Sequence, residues 1–186
     1  MRWLILLLCV GLPVVSQAAT DYKQLESLTS APESLHGQFT QVKFVQALDA
    51  RFESTGRFDY QRGSSIRWHT LTPIDNLLTL TPRTISNQQG DTVLSSLDSQ
   101  NNPVVTIFSD IFFGVMTAQW QTLAEYFEME VQGSTQRWTV VLHPIDKSVE
   151  QVVTRVELSG DELLREVVLF EAAGDQTQIT FIELQQ

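Results

Sequence analysis

Hydrophobic residues recur along this chain at two different periods, and the switches between them mark out its elements. Over Arg51–Gln61, Phe52, Ser54, Gly56, Phe58 and Tyr60 fall on one side, and Arg51, Glu53, Thr55, Arg57, Asp59 and Gln61 on the other. A period of two is the mark of a strand with one apolar and one solvated face. Arg62-Gly63-Ser64-Ser65 supplies turn residues, with Gly63 free to take a positive φ. A second alternating run sets Ile66 and Trp68 against Arg67 and His69. Pro73 has no N–H to give to a ladder and closes that strand; Ile74–Leu80 reads as a third. The stretch Arg51–Leu80 is thus an antiparallel meander with an aromatic-rich apolar face.

The flanking regions extend this meander. Asp21–Thr29 predicts a short helix capped by Thr20 or Asp21, with Tyr22, Leu25 and Leu28 on one face. His36–Val45 predicts the first strand, and Thr84–Leu94 a weaker hairpin turning near Gln88–Asp91. The period then changes. Asn102-Pro103 is a helix start, with Asn at the cap and Pro at the first helical position. Val104, Ile107, Phe108, Ile111, Phe112 and Val115 follow as an unbroken stripe, widened by Phe113 and Met116. A second helix over Ala118–Phe127 would gather Trp120, Leu123, Ala124 and Phe127. From Glu128 the chain returns to strands: Arg137–Leu142, Val152–Leu158, and a last hairpin of Leu163–Phe170 and Gln176–Leu184 about Ala173-Gly174-Asp175. The predicted fold is mainly β, a single curved antiparallel sheet forming an unclosed half-barrel, with helices laid on one face.

Met1–Ala18 reads as a signal peptide: Arg2 is the basic start, Leu4–Val15 the apolar run, and Ser16-Gln17-Ala18 the small-x-small cleavage site. The apolar run is too short for a permanent anchor. Cys9 is preceded by Leu8 and lies too early for a lipoprotein signal. The expectation is a soluble exported monomer in the periplasm, one domain over residues 19–186. That portion has no cysteine, because the single cysteine of the chain is Cys9, which removes disulfides, thiol catalysis and Cys-ligated metal from consideration. Its size allows roughly two-thirds of the unfolded surface to be buried without such staples. The formal net charge of −10 argues against nucleic acid or an anionic membrane surface as the main partner.

Candidate chemistry is sparse. His36, His69 and His143 are dispersed and lie in no recognised motif. There is no G-x-S-x-G elbow, no H-E-x-x-H and no phosphate-cradling glycine loop, and the carboxylates lack metal-ligand spacing. The expectation is no catalytic residue, no metal and no cofactor. The aromatic face allows two readings, a close-packed core or the wall of a hollow that takes a ligand. Arg51, Arg57, Arg62, Arg67 and Arg83 are concentrated in the meander region, as a solvated face or as donors for helix carbonyls or an anionic head group.

In combination these features resemble the LolA-like periplasmic carriers of outer-membrane lipoproteins, from about Leu25 to Leu184. The matching residues are Phe39-Thr40-Gln41, Ser54-Thr55-Gly56-Arg57-Phe58, and the spaced set Arg62, Trp68 and Pro73. Leu142-His143-Pro144, Gly174-Asp175 and Thr177–Phe181 agree as well. The resemblance implies a helical lid over a hydrophobic cavity for acyl chains. Phe39, Phe58, Tyr60, Ile66, Trp68, Leu78 and Leu80 would line it from the sheet, and Phe108, Ile111, Phe112 and Val115 from the lid. It also implies that Arg62 latches the lid by hydrogen bonds. An acylated lipoprotein or lipid would arrive from an inner-membrane exporter and leave to an outer-membrane acceptor. Two departures stand out: Gly63 replaces a proline, and Thr81-Pro82-Arg83 replaces an Asp-Gly turn. Ser54–Thr81 is closer to LolA-like proteins found beside lipid or polyene biosynthesis enzymes, which widens the cargo to other acylated molecules. A sensor or protein-interaction module on the same fold, and a hydrolase with a site assembled in space, are the alternatives.

Overall fold

The computed structural model describes residues 17–98 and 103–186, with side chains over 21–98 and 110–186. The expected leader lies outside the described residues except for Gln17 and Ala18, which open the first helix. That helix, α1, spans Gln17–Leu28. Six strands follow: β1 Ser34–Val45, β2 Ala50–Gln61, β3 Ser65–Thr72, β4 Asn76–Leu80, β5 Thr84–Gln89 and β6 Thr92–Asp98. Helix α2 covers Pro103–Met116. The chain then returns through β7 Phe127–Ser134, β8 Arg137–Pro144, the short helix α3 Lys147–Glu150, β9 Val153–Gly160, β10 Leu164–Glu171 and β11 Gln176–Gln185.

The eleven strands make one sheet in the order β6-β5-β4-β3-β2-β1-β11-β10-β9-β8-β7, each neighbour antiparallel. Two meanders, β1–β6 and β7–β11, are therefore sewn together by the first strand and the last. That seam pairs Phe39 with Phe181 and Thr40 with Thr180. The outer strands, β6 and β7, do not pair with each other, so the barrel stays open.

The alternation read in the sequence places side chains as expected from Gly56 onward, whereas Phe52, expected on the apolar side, is 53% exposed at the start of β2. Gly56, Phe58 and Tyr60 of β2 are buried while Arg57, Asp59 and Gln61 are exposed; Ile66 and Trp68 of β3 are buried beside the exposed Arg67. Glycine at 63 takes φ +65° in the β2–β3 turn, and Gly174 takes +86° in the β10–β11 turn, conformations that cost a side-chain-bearing residue strain. Two elements differ. Helix α1 begins at Gln17, so Thr20 and Asp21, expected as its cap, lie inside it. The second helix expected over Ala118–Phe127 is a 3₁₀ turn at Trp120–Glu125, and Phe127 already belongs to β7. Trp120 and Leu123 are buried there as anticipated, whereas Ala124 is exposed. Ala118, in the left-handed region at φ 53°, ends α2, with Gln119 N–H closing back on the Gly114 carbonyl at 3.0 Å. That stop leaves too few residues to start a new α-helix before β7.

Buried side chains form two clusters on the face covered by the helices. One centres on Trp120 and Trp138, with Leu25 and Tyr22 of α1, Leu123, Phe127, Leu142 and Leu158; the two tryptophan rings meet edge to face at 6.0 Å. Tyr22 donates to the Phe127 carbonyl at 2.7 Å, which fixes α1 on β7. Burial, with the Glu128 carboxylate adding, pushes the Tyr22 pKa up to about 12. Tyr126, half-buried and donating to Asp110 at 3.0 Å, is also pushed up to about 12, by burial first and by the Asp110 bond next. A phenol raised in the folded state contributes stability that is complete below its free value of 10.0 and lost as pH climbs through the raised one. Alkaline unfolding followed by circular dichroism should accordingly set in above about pH 10 and be well advanced by about pH 12. Tyr22→Phe is expected to cost about 1 kcal/mol at neutral pH and to flatten part of that alkaline loss; a wild-type alkaline profile in this variant contradicts the assignment.

Candidate functional site

The second cluster contains most of the residues expected to line a ligand site. Phe39, Phe58, Tyr60, Ile66, Trp68 and Leu80 are buried together, joined by Leu35, Met116 and Phe181, with Leu78 and Phe112 packed against them. Trp68 is the hub. Its ring stacks on Phe39 with centroids 3.8 Å apart and meets Phe112 of α2 edge-on at 5.9 Å. Phe181 lies 6.0 Å from it, again edge-on. Such offset and edge contacts are the favoured aromatic geometries.

Glycine makes this stack feasible. Gly56 is opposite Phe39 in the β1–β2 register, and a Cβ there would lie 2.6 Å from Phe39 Cζ and press on the His69 carbonyl. The missing side chain is the space in which the Phe39 ring lies.

Other expected residues are placed differently. Val115 is buried in the Trp120 cluster and Ile111 packs against that same cluster, so the α2 stripe is shared between both. Phe108 is on α2, but its side chain lies outside the described residues. Sequence reading passed over Phe181, Ile179 and Leu184 of β11 as site residues, although the alternation of Ile179 and Phe181 was visible; Leu184 falls out of that phase across the β11 bulge. What local pattern could not supply was that the last strand lies beside the first.

Between sheet and helices, the space bounded by the described side chains is small. The void at the junction of α1, α2 and the two halves of the sheet is about 10 Å³, bounded by Pro32, Leu35, Phe58, Met116, Trp120 and Phe181 among others. That is no more than room for one water. The Tyr60 and Thr117 hydroxyls are both buried near the end of α2 without a well-formed hydrogen bond. Burial raises the Tyr60 pKa; Arg62 opposes this, Glu33 adds to it, and Thr117 opposes it in turn.

Arg62 reaches the chain that leaves α1. Its Nη2 donates to the carbonyls of Ala31 and of Pro32, the latter at 2.9 Å, and its backbone N–H donates to the Glu33 carbonyl at 2.8 Å. Its Nε lies 3.2 Å from the exposed Glu33 carboxylate, off the line of a hydrogen bond, so that ion pair adds little. The side-chain acceptors are in the 31–32 segment and not on α2. The connection to α2 is indirect: Trp120 Nε1 donates to Thr29 Oγ1 at 2.8 Å, tying the turn after α2 to the end of α1.

The family model described as "Outer membrane lipoprotein carrier protein LolA" matches residues 30–186. The chain belongs to the LolA family. No curated protein matches the sequence. Among solved structures, a LolA superfamily protein from Nitrosomonas europaea is 8% identical, with 90% of this chain and 92% of that one covered at a TM-score of 0.49. The complex of MucA and MucB from Pseudomonas aeruginosa gives 15% identity, 90% and 56% coverage and 0.47; this chain thus spans a little over half of its counterpart there. A domain from Vibrio parahaemolyticus ascribed to outer membrane lipoprotein sorting gives 10%, 90% and 92%, and 0.44. Likenesses at these TM-scores carry no argument, and the assignment rests on the family match.

The close fit of Phe39 over Gly56 makes the LolA-family core testable. Gly56→Ala is expected to lower stability by about 1–3 kcal/mol, as overpacking of a dense core does, and to alter Trp68 fluorescence by displacing its stacked partner. Wild-type melting temperature and emission would show that the stack tolerates a methyl group.

Proposed function

We propose that this LolA-family protein is an exported carrier of acyl chains, taking a lipoprotein or another acylated lipid from an inner-membrane donor to an outer-membrane acceptor. The observation that supports this reading best is the Trp68 cluster: an aromatic sheet face covered by the C-terminal half of α2 through Phe112, Phe113 and Met116. Cargo must displace that cover, because the remaining void is far too small. The energies allow it. An acyl chain gains roughly 0.8 kcal/mol per buried CH₂, about 10 kcal/mol for a dozen, whereas each displaced Phe or Met contributes roughly 1.5–3 kcal/mol.

Protein prepared without detergent should take up a fluorescent fatty-acid analogue that lipid competes away, and organic extraction should recover an acylated molecule. Phe112→Glu is expected to abolish uptake while leaving the circular dichroism of the sheet intact, because the carboxylate, costing several kcal/mol in an apolar site, swings outward with α2. Global unfolding would make this face ordinary core, and retained uptake would remove α2 from the site. A protein-interaction module is the competing reading. The exposed edge strand β6, with Val93, Leu94 and Leu97 all exposed, favours it, since exposed edges pair with partner strands. Absence of any lipid in both the uptake and the extraction measurements would decide for the module.

Arg62 holds the closed arrangement on this reading. Arg62→Leu removes charge-assisted bonds present only when segment 31–33 is in place, so it should favour the loaded state. The expected outcome is slower cargo release by about tenfold or more, measured by transfer of the fluorescent acyl probe to acceptor vesicles. Wild-type release kinetics would remove Arg62 from the latch role.

A further inference from the structure

A cavity lies on the opposite face of the sheet, away from the helices. It is a groove of about 510 Å³, inside the range of small-molecule sites. It crosses β11, β1, β2, β3 and β4, and polar side chains dominate its lining. The register explains its composition: Arg57 is opposite His69, and Asp59 is opposite Arg67, all on the solvated side of strands whose other side holds the aromatic cluster.

A bulge shapes one wall. Between His36 and Gln38, β11 carries an extra residue against β1, and Glu183 takes φ 53° there, a left-handed position where glycine is usual. Glutamate at this point presents a carboxylate to the groove, where it accepts from Gln38 Nε2. Non-glycine residues held in this region concentrate at functional sites.

The distribution of partners decides what the groove can take. Glu183 is occupied by Gln38, and Asp75 by His69 Nε2 at 3.1 Å. His36 is bonded to Gln185 at 3.1 Å. Among the described residues neither Arg57 nor Arg67 is in an ion pair; Arg57 has only a 3.5 Å contact with His69 Nδ1. Asp59 likewise makes no ion pair, although it is Arg67's register partner. Two planar guanidinium groups with unused donors suit a phosphate or carboxylate, and a free carboxylate between them suits a neighbouring hydroxyl. Across the lining the two arginines offset the Asp59 and Glu183 carboxylates, so the groove is near neutral within a chain of net charge −10, and the guanidinium donors left over are what an anion would use.

We propose that the groove is a second binding site, for a small soluble phosphorylated polyol, with Arg57 and Arg67 holding the phosphate and Asp59 a hydroxyl. It is separated by the sheet from the acyl site and does not rest on that reading. The test is an NMR titration of isotope-labelled protein with glycerol phosphate, and with glycerol and inorganic phosphate for comparison. Saturable amide shifts confined to β1, β2, β3 and β11 are expected with glycerol phosphate, weaker ones with phosphate, and none with glycerol. Arg57→Gln and Arg67→Gln, both exposed positions, should each weaken binding about tenfold, with wild-type circular dichroism and wild-type uptake of the fluorescent fatty acid. No saturable shift, or wild-type affinity in both variants, would overturn the proposal. Binding confined to phosphatidylglycerol vesicles, with none to glycerol phosphate, would overturn it as well and identify the groove as a membrane contact.

Discussion

A sheet that does not close upon itself cannot bury its own apolar face. In this protein β6 and β7 remain apart, so the inward side chains of a long curved sheet need a separate cover. Everything on that side of the molecule answers to this requirement. Helix α1 seals one end through Tyr22 and Leu25, α2 seals the other through Phe112, Phe113 and Met116, and the 3₁₀ turn carrying Trp120 sits between them. A closed barrel would have covered its own interior; an open one obliges the chain to supply a cover.

The cover is held by few polar ties. Arg62 grips the carbonyls of Ala31 and Pro32, Thr29 accepts from Trp120, and Ser30 N–H donates to the Glu162 carbonyl at 2.7 Å. These four points string the exit of α1, the end of α2 and the β9–β10 turn together around one small void. Hydrogen bonds of this kind are individually modest in net effect, so the cover is held chiefly by the apolar contacts beneath them.

Much of this architecture was legible in the order of residues. Period-two runs placed β2, β3 and the terminal hairpin to within a few residues, because each strand has one dry and one wet side. The Asn102-Pro103 start and the apolar stripe located α2. Other features depended on distance in space. Ile111 and Val115 share a helical stripe with Phe112, yet they turn toward the Trp120 cluster, since one helix spans two cores. Phe181 joins the aromatic cluster only because β11 lies against β1. Arg62 stood out as a candidate donor, but its acceptors, the carbonyls of Ala31 and Pro32, have no side-chain signature. The groove on the outer face escaped notice because a bulge at Glu183, set by pairing and not by composition, gives it its wall.

The seam between β1 and β11 has a consequence for how the molecule is made. His36 and Gln185, bonded across it, are 149 residues apart in the chain. Until the last residues emerge, β1 is the edge of a half-built meander, its backbone groups and the ring of Phe39 without their final neighbours. Contacts of such long sequence separation form slowly, and an unpaired strand edge is where nascent chains stick to one another. The assembly step most exposed to misadventure is therefore also the one that completes the aromatic wall. A chain cut short by even one strand at its C-terminus would fail at its centre, not at its periphery.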